Sequence, residues 1–70
     1  MLSIYQNLKK TCTFQTEKRG GFFVIVKRDF WGKTKGIMDD RYETRDEAEI
    51  ALEELADESG LRWVGRQDNG

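Results

Sequence analysis

Ten acidic side chains fall within residues 37–60: Asp39, Asp40, Glu43, Asp46, Glu47, Glu49, Glu53, Glu54, Asp57 and Glu58. Clustered carboxylates can hold a divalent cation or divide acid and base roles between them. The run from Asp39 to Glu47 lacks the alternating ligands and central glycine of a calcium loop. Paired-acid glycoside chemistry needs a cleft that a chain of 70 residues rarely encloses. With 0 His and 1 Cys, acid–base chemistry on histidine, Ser-His-Asp and Cys-His nucleophiles, Cys/His zinc sites and an internal disulfide are all excluded. Gly32-Lys33-Thr34 is not preceded by a phosphate-loop glycine at the required spacing, so nucleotide binding has no motif. The expectation is a protein with no catalytic residues, no metal and no cofactor.

Two other groups of residues have the chemistry of binding. Asp46, Glu49, Glu53, Glu54 and Asp57 recur at helical spacing with the aliphatic Ile50 among them, and no lysine lies between residues 45 and 59. Glu49/Glu53, Glu53/Asp57 and Glu54/Glu58 are like-charge i,i+4 pairs, each destabilising a helix by about 0.2–0.5 kcal/mol. Selection for solubility alone would mix in lysine, so a basic partner, or the basic first half of the same chain, is expected to offset the repulsion. The second group is Phe30 and Trp31 beside Lys27, Arg28, Lys33 and Lys35. Aromatics among cations can stack on unpaired bases or anchor a protein interface, unless Trp31 folds back over the sheet and the cations only solvate the loop.

The elements that position these groups are bounded by glycine. The chain has no Pro and no low-complexity stretch, so all 70 residues read as a single domain without a linker. Gly20-Gly21 separates a Thr-rich run, residues 11–16, from Gly21–Arg28, a pairing expected to form a hairpin. Phe22 to Val26 are apolar on both alternating faces, which predicts a strand in the middle of a sheet. Gly32 marks a second tight turn, followed by a strand over roughly Thr34–Glu43 with Met38 and Tyr42 facing the core. Cys12 is read as a small buried apolar residue.

Thr44-Arg45-Asp46-Glu47 matches a capping box, and Ala48, Ala51, Leu52, Leu55 and Ala56 form a narrow apolar stripe that ends at Gly60. Leu61–Gly65 is expected as a short last strand and residues 67–70 as a frayed end. Met1, Ile4, Tyr5 and Leu8 have helical spacing, yet a strand or a wrapped arm is equally compatible. The predicted fold is therefore α+β: a three-stranded antiparallel meander, one packed helix and a short fourth strand, in the order β-β-β-α-β. A core this small seldom supplies more than about 3–5 kcal/mol, so homodimerisation or binding is an expected stabiliser.

The charges are segregated. Residues 1–36 carry +6, residues 37–60 carry −8 and the last ten +1, within a net charge of −1. The first ten residues have no leading basic cluster, long apolar stretch or cleavage pattern, so neither signal peptide nor membrane anchor is expected and the cytoplasm is the expected compartment.

From Gly20 to Ser59 the element order resembles the arm-type DNA-binding domain of phage and transposon tyrosine integrases, in which a three-stranded sheet precedes a helix opening on a turn like Thr44-Arg45-Asp46-Glu47-Ala48. The resemblance covers about half the chain. It implies sheet-face binding in a DNA groove, with Lys27, Arg28, Lys33 and Lys35 on phosphates. The sequence departs from that pattern at Asp39, Asp40 and Glu43, which would repel a phosphate backbone. In size, missing catalytic residues and charge, the chain is also similar to small phage-encoded anti-defence proteins, anti-CRISPR inhibitors among them. The leading expectation is a non-enzymatic protein-binding module whose acidic helix docks on a basic surface of a nucleic-acid-handling protein. A hairpin DNA-binding module and a structural subunit of a phage or plasmid assembly are the alternatives.

Overall fold

A computed structural model describes residues 2–67. It contains five strands and one helix: β1 (Ser3–Gln6), β2 (Cys12–Arg19), β3 (Phe22–Asp29), β4 (Thr34–Ile37), α1 (Arg45–Ser59) and β5 (Arg62–Arg66). The strands form one antiparallel sheet in the order β4-β3-β2-β1-β5, and α1 packs across β2 and β3. The α+β architecture agrees with the sequence expectation, with one strand more.

The local signals formed where side chains and backbone meet within a few residues. Gly20 and Gly21 both have positive φ, 58° and 87°, as a two-residue type I′ hairpin turn requires, and Arg19 pairs with Phe22 across it. Thr44 caps α1 in extended conformation; its hydroxyl accepts from Glu47 N–H at 3.2 Å while the Glu47 carboxylate accepts from Thr44 N–H at 3.2 Å. At the other end Gly60 takes φ 68°, and the N–H groups of Gly60 and Leu61 both donate to the Ala56 carbonyl. The buried stripe is Ala48, Leu52 and Ala56. Its small residues let the helix approach Thr16 and Ile25, which sit opposite each other on β2 and β3.

Of the conformations compatible with the amino-terminal segment, the chain takes the strand: Tyr5 pairs with Phe14 on one side and Trp63 on the other, so β1 sits between β2 and β5. Four expectations are corrected. β3 is interior as expected, but with β1 and β5 added on the far side, β2 is the middle strand of five. The strand expected over residues 34–43 ends at Ile37. Met38 N–H still donates to Ile25 C=O, and regular register would then set Asp40 opposite Phe23; Tyr42 pairs there instead, so two extra residues loop out around Asp39, Asp40 and Arg41. Met38 faces the helix but remains 41% exposed at its flank, outside the core. Cys12 is half-buried at the first position of β2, with its thiol beside the Asn7 amide and the Thr11 hydroxyl.

Val24, Ile25 and Val26 are all buried, so both faces of β3 are covered. The helix covers the Ile25 side. On the other, Glu17 and Gln15 lie opposite Val24 and Val26, and Glu17 accepts from Gln15, from Arg19 and from Arg28, reached from two residues beyond Val26. This polar layer roofs the second apolar face. Burial pushes the Glu17 carboxyl up, but the hydrogen bonds and charges of Arg28 and Arg19 outweigh it and hold Glu17 below the usual range.

Candidate functional surfaces

The acidic residues of α1 separate into different roles according to the side of the helix they leave. Glu49 turns toward the sheet: its carboxylate accepts from the Thr16 hydroxyl at 2.6 Å and from Ser3 N–H at 2.9 Å. That removes it from the outer face on which the sequence reading placed it, and makes it a latch between α1, β2 and β1. Asp46, Ile50, Glu53 and Asp57 follow one another along the β1 flank of the helix. Two cavities of about 530 and 410 Å³ adjoin there, and Tyr5, Ile50 and Glu53 line both, so they form a single groove between α1 and β1. Its apolar surface comes from Tyr5, Ile50, Ala56 and Leu61. Ile50 is 60% exposed. Glu54 lines the groove and also the opposite flank, where it stands near Asp40, Tyr42 and Glu58.

The electrostatics of the groove are one-sided. Among the described residues the ion pairs are Arg19–Glu17 and Arg28–Glu17, and neither reaches α1. The basic first half of the chain therefore does not neutralise the helix by direct pairing. The last turn of α1 also carries no cation to complement the helix dipole. Burial raises the pKa of the Tyr5 phenol, and the charges of Glu53 and Glu49 raise it further. Tyr42 on the other flank is raised in the same way, by burial and then by Asp40 and Glu54.

At the β3–β4 turn Asp29 organises the loop. Its carboxylate accepts from the N–H groups of Trp31 and Lys33, each at 2.9 Å, while its own N–H donates to Lys33 C=O and its carbonyl accepts from Gly32 N–H. Gly32, at φ 84°, allows the chain to turn. The loop holds Phe30 and Trp31 edge to face, with ring centroids 5.7 Å apart and planes at 89°. Trp31 is 81% exposed and Phe30 74%, so the aromatic pair stands out from the sheet and does not fold back over it. Lys27, Lys33 and Lys35 are exposed around it. Arg28, expected to join them, alternates to the other face of β3, where it donates to Glu17, to Gly32 C=O and to the Thr34 hydroxyl.

Register adds residues that sequence reading left out of this group. Cys12 pairs with Asp29, which brings the β1–β2 turn alongside the β3–β4 turn. That turn is built in the same manner: the Asn7 side-chain oxygen accepts from Thr11 N–H and Cys12 N–H. Leu8, Lys9 and Lys10 are exposed there. A groove of about 510 Å³ runs beside the aromatic pair, lined by Thr11, Cys12, Lys27, Asp29, Phe30, Trp31 and Lys35.

Among the described residues no group of three or more His, Cys, Asp or Glu side chains is arranged to hold a metal ion, and no helix is long and apolar enough to cross a membrane. Comparison with protein-family models, curated proteins and solved structures finds no match to the chain.

Proposed function

We propose that the protein is a non-enzymatic binding module whose α1–β1 groove takes a cationic segment of a nucleic-acid-handling protein. The observation that carries this reading is the composition of the groove: an exposed Ile50 and a half-buried Tyr5 form an apolar strip, and Asp46, Glu53 and Asp57 border it with no cation lining it among the described residues. From Asp46 to Asp57 the acidic row extends about 16 Å along the helix, the length of a short basic peptide or one ridge of a basic surface. Arginine and lysine stems would lie on the apolar strip while their charged ends meet the carboxylates. Docked on a surface that ordinarily holds phosphates, the row would compete with nucleic acid for the same cations. In that role the protein acts as an inhibitor or adaptor of the kind that small phage-encoded anti-defence proteins, anti-CRISPR inhibitors included, represent.

The test is titration of the full chain with a peptide alternating arginine and leucine, followed by backbone amide shifts. Shifts concentrated at Tyr5, Ile50, Glu53 and Asp57, with affinity that weakens as salt rises, are the expected result. Shifts spread over all acidic residues, unchanged in Ile50→Asp, would reduce the helix to a solvated surface.

A further inference from the structure

We infer that the end of the sheet remote from the β2–β3 turn is a platform for single-stranded nucleic acid, with Phe30 and Trp31 as stacking faces and Lys9, Lys10, Lys27, Lys33 and Lys35 as phosphate contacts. This site is separate from the acidic groove and does not depend on its function.

Three observations carry the inference. First, the aromatic pair is exposed by construction: Asp29 pins the backbone on both sides of Gly32, so Phe30 and Trp31 are held outward while apolar surface remains open on the sheet beneath them. A loop free to collapse would bury those rings. Second, the cations converge from two separate turns and from β3 and β4, and the one carboxylate among them, Asp29, accepts from two backbone N–H groups. The end is therefore a net cationic surface suited to a polyanion. Third, the groove beside the rings is walled by Cys12, Phe30 and Trp31 with the stems of Lys27 and Lys35, a mixture of flat apolar surface and flanking charge that fits a base and its phosphate.

A duplex fits less well. Its stacked bases offer no free faces to the two rings, so a duplex would meet the lysines but leave the aromatic pair unused. The tip's arginine, Arg28, is held back on the opposite face by Glu17, Gly32 and Thr34. Stacking without edge recognition is the mode of sequence-tolerant single-strand binders, and both DNA and RNA provide it.

The experiment is fluorescence anisotropy of the full chain with labelled twelve-nucleotide oligo-dT, oligo-U and a duplex of equal length, from low to physiological salt. Both single strands are expected to bind more tightly than the duplex, with affinity falling steeply as salt increases. Trp31→Ala is expected to weaken single-strand binding about ten-fold, Trp31→Phe to retain most of it, and Lys33→Glu with Lys35→Glu to weaken it further and flatten the salt dependence. In a Trp63→Phe background, emission from Trp31 is quenched on binding, while Glu43→Gln, an exposed carboxylate outside both surfaces, leaves the affinity unchanged. Because Trp31 packs on no core residue, an unaltered melting temperature in Trp31→Ala separates lost contact from lost fold. Equal binding to duplex, insensitivity to Trp31→Ala, or no binding at low salt each overturns the proposal.

Discussion

The Thr16 hydroxyl donates to the Glu49 carboxylate across 2.6 Å, joining a strand residue with no exposed surface to the second turn of α1. The same carboxylate accepts from Ser3 N–H, so one acidic residue ties α1 to two adjacent strands, both remote from it in sequence. It also orients the helix: with Glu49 turned inward, Ile50, Glu53 and Asp57 are left along the groove.

Removing the acceptor should cost more than removing the donor. Glu49→Ala leaves the buried Thr16 hydroxyl unsatisfied and frees Ser3 N–H, an expected loss of about 2–3 kcal/mol. Thr16→Val leaves Glu49 bonded to Ser3 and should cost about 1 kcal/mol. Urea unfolding of both single variants and the double variant checks the order, and coupling in the cycle identifies the latch. Equal losses with no coupling would show that the bond contributes nothing of its own.

Glu17 should make the fold acid-sensitive. Its carboxyl is held below the usual range in the folded state by Arg28 and Arg19 despite burial. The corresponding stability is present above the unfolded-state pKa and is lost as pH falls through the lower, folded-state value. Glu17→Gln should therefore lower stability by about 1–2 kcal/mol at neutral pH, through the charge-assisted bonds it removes, and flatten the decline below about pH 4.5. Denaturant midpoints from pH 2 to 7 provide the comparison, and parallel curves for the two proteins would count against this assignment.

The parts of the fold that could be read from sequence are those whose cause is local. Thr44 and Glu47 are three residues apart, and Gly20-Gly21 needs only its own φ angles. β1 is different: Ile4 and Tyr5 are compatible with helix or strand, and what decides between them are Phe14 and Trp63, the second almost sixty residues away. The binding surfaces divide along the same line. Helical spacing grouped the acids but could not show that Glu49 points at Thr16, because that depends on the rotation of α1 over β2. Proximity in sequence grouped Arg28 with Lys27, although alternation sends them to opposite faces. Lys9 and Lys10 join the hairpin tip only through the pairing of Cys12 with Asp29.

Tyr5 should report the charge of the groove. Its phenol is raised by burial, then by Glu53 and Glu49. In a Tyr42→Phe background, Glu53→Gln should lower the remaining tyrosine's pKa toward its ordinary value, read by ultraviolet titration. The folded state holds Tyr5 protonated more strongly than the unfolded chain does, so stability should also fall as pH rises above about 10. An unmoved titration in Glu53→Gln would mean that the carboxylate points away from the groove.

Stability and binding should move in opposite directions when the groove's charge is reversed. Asp57 lies in the last turn of α1, where a negative charge opposes the helix dipole and repels Glu53 one turn earlier. Replacing both by lysine exchanges that repulsion for a pair of cations near the helix C-terminus, where the dipole favours them, and places the first of them one turn from Glu49. The cations still repel each other, so the net gain should be small, about 0.5 kcal/mol, or a rise of a few degrees in melting temperature for a domain of this size. A cationic partner should be lost at the same time, because the row it would meet now has its own sign; association slows and its salt dependence disappears. Asp57→Asn separates the two effects, since it removes repulsion without adding a cation: a modest gain in stability should accompany only partial loss of affinity. Calorimetry beside titration with the arginine–leucine peptide measures both quantities on the same samples. A raised melting temperature with undiminished peptide affinity would leave Glu53 and Asp57 as solvated charges and place the working surface elsewhere on the molecule.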